Sequence, residues 1–415
     1  MDRPQSKLTI LSLQYHCYPD EVGGAWGLTY EINKRLVERG HKVFQITCKS
    51  SNSQLSREVI DGIQYQRVSL LQSKSFVSLW NAVRKQIKNI LKQEPPNLIH
   101  IHNPLIGLIT LLQPGLWKVP KVYHFHSSWF DEEKINAVGT AQVPFGLKIK
   151  LELIRVIEWI CFKFSGTILF LSEYSRNRFK EFYFLSKPDL QIIPGGVDLN
   201  EFHPIKPQEN QEEIRERLNL ENNKPLILTV RRLEERMGLE NLLSAVEILT
   251  KKFPKKSFQL VIVGKGSLKQ RLEKMIFEKG LSDIVKLTGL VPRESLPLYF
   301  RVADLFVLPT TAIEGFGLVT AESFASGLPV MGTPVGATKE LLAPIDPGLL
   351  FQEISPEALA KGLQHYLENP EYYFPFKSKC RKTAEKHFSW ERITDQIEEK
   401  FTRIVSDQSP HGSKG

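Results

Sequence analysis

Glu314-Gly-Phe-Gly-Leu-Val-Thr-Ala-Glu322 sets two acids eight residues apart around a pair of glycines. Gly315, Phe316 and Gly317 open a segment that predicts a helix from about Leu318 to Ser326, stopped by Gly327. Glu314 then lies in the loop before the helix, and Glu322 more than one turn inside it. Gly317 allows close backbone approach, and the first N–H groups of a helix have no partner within it. Such an end attracts a phosphate. Carboxylates on either side of an anion site suit the hydroxyl groups of a sugar nucleotide. Asp304-Leu-Phe-Val-Leu-Pro before the stretch and Gly-Leu-Pro-Val-Met after it read as strands.

Working outward, strand and helix alternate almost throughout, the pattern of parallel sheets covered by helices. Leu226–Val230, Phe258–Val263, Val285–Leu287, Leu305–Leu308 and Pro329–Met331 are the strand candidates of the second half. Leu239, Leu242, Leu243, Val246 and Leu249 form one buried helical face between them. In the first half the candidates are Lys7–Tyr15, Val43–Thr47, Leu98–His102, Val119–Phe125, Thr167–Leu171 and Gln191–Ile193. Glu58–Ile60 and Ile63–Val68 flank Asp61-Gly62, a hairpin signal. Asn200–Asn223, rich in Pro, Asn and Glu, reads as a linker with a short helix over Glu212–Leu218. Two doubly wound halves with a shared cleft follow from this pattern, since open parallel sheets bind ligands beyond their strand C-termini.

Composition narrows the classes. The 415 residues suffice for two or three packed cores, with 41% hydrophobic and 24% charged residues. Four scattered cysteines without a CxxC pair argue for a reducing compartment and against structural zinc. The first residues show no apolar core of a signal peptide, and no run reaches the length of a membrane span. A cytoplasmic protein is the expectation. The net charge of +9 suits nucleic acid, anionic lipid or a phosphorylated small molecule. Nucleic acid ranks last, because no nucleic-acid-binding motif or basic arm is present. The helices Phe76–Lys92 and Phe145–Phe164 mix apolar faces with Lys and Arg. Each reads either as a covering helix or as a helix lying on the inner face of an anionic membrane.

Further motifs carry chemistry. Gly23-Gly24 between the first strand and first helix frees backbone N–H groups for a diphosphate or an acceptor. His100 and His102 on one strand, and His124 and His126 on the next, form two H-x-H pairs whose members point the same way. They open a metal-hydrolase alternative, for which no third ligand set is evident. Arg231-Arg232-Leu-Glu-Glu-Arg236-Met237-Gly238 follows the first strand of the second half, and Lys286-Leu-Thr-Gly289-Leu-Val291 ends another.

The whole string around Glu314 and Glu322 resembles the Glu-x7-Glu motif of the retaining family 4 glycosyltransferases, which have the GT-B fold of two facing Rossmann-like domains. Matching segments run in order from Gly23 to about Glu340. The resemblance implies transfer of a hexosyl group from a nucleoside diphosphate sugar to an acceptor hydroxyl of unknown identity. It implies no metal and no cofactor. Catalytic roles fall to His126, beside the donor sugar, and Glu314, on its hydroxyls. Gly23, Gly24, Arg232, Arg236, Val291, Gly315, Phe316, Gly317, Leu318 and Glu322 become donor-binding positions, with Glu322 on the ribose. Where the family has lysine beside Gly238 this chain has Met237, and Arg236 is the candidate replacement. A same-fold epimerase or phosphorylase is the nearer alternative. The expected domains are 1–200 and 201–385, a helix over 386–406 returning to the first domain, and a tail over 407–415. Ser127–Pro144 is expected to shape the acceptor site as a loop.

Overall fold

The computed structural model describes residues 7–69, 75–138, 144–186, 189–254 and 257–408. The chain forms two compact units, Met1–Ile193 with Glu391–Gly415, and Pro194–Trp390.

The first unit holds an eight-stranded sheet made of β1 (Thr9–Leu13), β2 (Lys42–Cys48), β3 (Arg57–Ile60), β4 (Ile63–Val68), β5 (Leu98–Ile101), β6 (Lys121–Phe125), β7 (Thr167–Phe170) and β8 (Asp189–Ile192). Its order is β3-β4-β2-β1-β5-β6-β7-β8. Only β3 runs antiparallel, paired with β4 through the Asp61-Gly62 turn, where both residues adopt positive φ (47° and 77°). Near-continuous apolar strands such as β1, β5 and β7 are what a sheet covered on both faces requires. The second unit holds β9 (Leu226–Val230), β10 (Gln259–Val263), β11 (Val285–Gly289), β12 (Leu305–Leu308) and β13 (Val330–Gly332), all parallel, in the order β11-β10-β9-β12-β13. In both sheets the winding reverses beside the first strand, between β1 and β5 and between β9 and β12. That reversal is the doubly wound switch point.

Three expectations are corrected. The units divide at Ile193, before the expected boundary at residue 200, because Pro194–Asp198 is packed into the second unit. There Val197 N–H donates to Phe388 O (2.7 Å), and the backbone of Gly195 lies against Phe316 and Leu318. The segment Asn200–Asn223 is no linker. Its helix Gln211–Arg217 carries the buried Arg215, which donates to Val302 O (2.8 Å) and to the Asp304 carboxylate (2.8 Å). Ser127–Pro144 is not a plain loop either, since Trp129–Val138 is helical; residues 139–143 lie outside the described residues.

The last helix, Trp390–Asp407, belongs from Glu391 onward to the first unit. It buries Ile393, Ile397 and Phe401, and its Glu398 receives Arg39 (2.6 Å) and His41 (2.8 Å). Residues 409–415 of the expected tail lie outside the described residues. Among the described residues no helix is long and apolar enough to cross a membrane.

Candidate active site

The acidic stretch sits where β9 and β12 deliver their C-terminal ends. The helix Leu318–Ala325 begins at Gly317, which has φ +85° and offers no side-chain cap. Its first N–H groups are therefore available to an anion. Glu314 is buried in the loop before the helix, and its backbone is held from below: Ala337 N–H donates to Glu314 O (2.8 Å). Gly336, at φ +60°, makes that approach possible, because a Cβ there would collide with the Glu314 carbonyl. Phe316 is buried edge-on against Phe388 (5.5 Å).

The carboxyl of Glu314 accepts two hydrogen bonds at Oε2, from Arg231 (2.7 Å) and from Thr310 (3.1 Å). Arg231 follows β9 directly, so the pair spans the switch point of the second sheet. The same guanidinium group lies 3.0 Å from the Met237 sulfur, while its buried Nε has no partner. Arg231 thus brings a cation to Met237, the position where the resemblance leads one to expect a lysine. Sequence reading passed over it, although the doubled Arg231-Arg232 was the available signal. Arg232 is exposed and makes no ion pair among the described residues. Arg236 is turned to the loop, donating to Ile313 O (2.8 Å).

Glu322, half-buried inside the helix, has no hydrogen bond to its carboxyl group among the described residues. Burial pushes its pKa up to about 7; Glu201 adds to the rise and Arg293 opposes it. Arg293 is a further residue that the sequence reading missed. It follows Val291, which lies just past the C-terminal end of β11.

In the first unit Gly23 and Gly24 stand at the start of the helix Gly24–Glu38, after β1, with no side-chain cap. His126 comes just past β6. Its Nε2 bonds to His102 Nδ1 (2.9 Å), and His102 Nε2 bonds to His100 Nδ1 (3.1 Å). His124 stacks on His126 at 4.8 Å, as alternate residues of one strand must. Burial lowers the pKa of His126 to about 4 and that of His100 to about 3, and it holds His102 and His124 well below their usual range. Neutral imidazoles follow, so His102 donates through one nitrogen and accepts through the other. The ligand nitrogens of His100, His102 and His124 lie within 4.8 Å of one another, so the two H-x-H pairs of neighbouring strands do come together as a three-imidazole group.

Doubly wound sheets bind ligands at the switch point, which is where this chain sets an uncapped helix start and paired acids. Residues 210–387 match the family model of glycosyl transferases group 1, and residues 22–201 match that of glycosyltransferase family 4. An uncharacterized glycosyltransferase of Methanocaldococcus jannaschii is 22% identical over 94% of this chain and 96% of its own. Sucrose-phosphate synthase from Thermosynechococcus elongatus superposes with a TM-score of 0.82 at 22% identity, over 97% of this chain and 100% of that one. HepE of Anabaena, solved in complex with UDP and glucose, gives 0.75 at 19% identity, over 95% and 100%. The chain belongs to the group 1 glycosyltransferases, with the two Rossmann-like domains of the GT-B fold. It is a transferase enzyme, and the epimerase, phosphorylase and metal-hydrolase alternatives are not favoured.

Proposed function

We propose that the protein transfers a hexosyl group from a nucleoside diphosphate sugar to an acceptor hydroxyl with retention of configuration and without a metal. The observation that supports this reading most is the Arg231–Glu314 pair beside the open helix start at Gly317. It sets a cation, a carboxylate and free N–H groups around one point at the ends of β9 and β12. A diphosphate there gains charge as the sugar leaves, and preformed donors stabilise that charge without reorganisation. Arg231, Arg232 and the Gly317 N–H region carry this role, with Arg236 fixing the loop. Glu314 holds donor hydroxyls as they displace part of its bonding to Arg231. Glu322 accepts the ribose hydroxyls, and the backbone near Val291 takes the base. Gly23, Gly24 and the neutral His126 keep the donor-binding and catalytic roles that the resemblance implies, and the departing phosphate takes the acceptor proton.

Peripheral contact with an anionic membrane is part of the same reading, for an acceptor that is a glycan, a lipid or a small molecule. Calorimetric titration with UDP-, GDP- and ADP-sugars, followed by NMR of the released or transferred sugar, tests it. Heat with one donor and a retained anomer in chelator-treated protein is the expected result. No binding to any of them, or an inverted product, refutes it.

A further inference from the structure

The helix Phe145–Lys163 buries Leu151, Ile154, Cys161 and Phe162 in the first unit. Its opposite face is apolar too. Phe145, Ile149, Leu153 and Val156 recur every three or four residues and are 78%, 52%, 60% and 52% exposed. Trp159 and Phe164 continue the stripe. A covering helix turns polar groups to water, and Phe76–Gln93 does so: Leu79, Val83, Ile87 and Ile90 go inward while Arg84, Lys85 and Lys88 stay exposed. The two helices that the sequence left equally open are therefore different objects. Contiguous exposed apolar surface of this kind marks an interaction site.

The charges on that face identify what it meets. Lys148 and Lys163 are exposed and Arg155 is half-buried, against one exposed acid of the helix, Glu152. Lys163 sits over the Trp159 ring at 4.6 Å, an apolar body with a cationic tip. Phe184, 91% exposed, lies on a segment tied to the same helix. There Tyr183 OH donates to Glu158 (2.6 Å) and Arg155 donates to Phe182 O (3.3 Å). The geometry points to this face as the docking surface for an anionic lipid bilayer, with the helix lying in the headgroup plane and its aromatic and aliphatic stripe in the acyl boundary. Phe and Trp beside Lys form the surface that such a plane binds, and the helix is not apolar enough to span. The inference rests on the transferase reading for its purpose, an acceptor met at a bilayer.

The test is co-sedimentation of the full chain with vesicles of equimolar phosphatidylglycerol and phosphatidylcholine, beside vesicles of phosphatidylcholine alone. Wild type should bind the anionic vesicles and release on added salt. The triple variant Ile149→Ser/Leu153→Ser/Val156→Ser should bind roughly tenfold less or weaker, and Lys148→Glu/Lys163→Glu should lose the preference for anionic lipid. Both variants should keep the wild-type thermal shift with donor, so loss of folding or of donor binding is read separately. Absence of binding by wild type, equal binding to neutral vesicles, or unchanged partition of the variants overturns the assignment. So does a wild-type dimer that the triple variant dissociates, since a second copy would then cover the face. A chain that binds vesicles but no nucleotide-sugar would sink the transferase reading and leave the surface standing.

Discussion

Glu322 holds its proton to about pH 7 in the folded chain, against an ordinary value of 4.5. Between those values the folded state binds more protons than the unfolded one, so the contribution to stability falls as pH rises through the window. Glu322→Gln should remove this slope. Denaturant titrations should find the ligand-free variant gaining on the order of 1–3 kcal/mol on wild type between about pH 5 and 8. Binding runs the other way. Ribose hydroxyls donate to the charged carboxylate, so nucleotide affinity should rise with pH up to about 8 and then level off. The Gln variant should bind at least about tenfold more weakly, with no such dependence. Arg231 carries a second prediction. Arg231→Ala leaves the buried Glu314 carboxylate without a counter-charge, bonded only to the Thr310 hydroxyl, so it should cost about 3–5 kcal/mol of stability and lower kcat by about 100-fold or more. Arg231→Lys should recover the stability in part. If Arg231→Ala turns over like wild type while Arg232→Ala does not, the diphosphate cation is Arg232 alone. The acids were legible because their helix and glycines surround them in the sequence. Arg231 was not, because its partner lies 83 residues away.

At the scale of elements, turn chemistry and periodicity located the strands of both sheets to within a few residues. The Asp61-Gly62 hairpin and the helix stop at Gly327 are examples, since each is set by local backbone preferences. What escaped was the bare second face of the expected helix Phe145–Lys163, which needs neighbours before it can be told buried from exposed. The short helix Gln211–Arg217 was legible at Glu212–Leu218, but its anchoring was not, because Arg215 is satisfied by Val302 and Asp304, 87 and 89 residues along the chain. Two element-level changes test how the donor loop is built. Gly336→Ala should displace Glu314, lowering kcat/KM about tenfold or more and stability by on the order of 2–4 kcal/mol, read by kinetics and thermal unfolding. Met237→Lys sets a second cation against Arg231 and should impair donor binding. Adding Arg231→Ala should restore it, a coupling of about 1–3 kcal/mol in a double-mutant cycle; additive losses would show that the two positions do not share one role.

Across the whole molecule, the chain leaves the first unit at Ile193 and comes back at Glu391. The returning helix closes over His100 with Phe401 (4.9 Å between ring centres) and supplies Glu398 to Arg39 and His41. Phe401→Ala should therefore cost about 3–5 kcal/mol. Hydrogen exchange should show the lost protection in β1, β2 and β5, with β9 to β12 unchanged; loss confined to the last helix would contradict this. The sequence by itself determined the two doubly wound sheets, the acidic loop-helix and the transferase family, because each is written in residues near one another in the chain, where periodicity and backbone freedom act. Only the tertiary structure decided that Arg231 meets Glu314, that His100, His102 and His126 form one neutral hydrogen-bonded chain with His124 stacked beside it, and that one basic helix is apolar on both faces. Those outcomes depend on burial and on partners brought together from distant segments, and desolvation has no signature in a linear string.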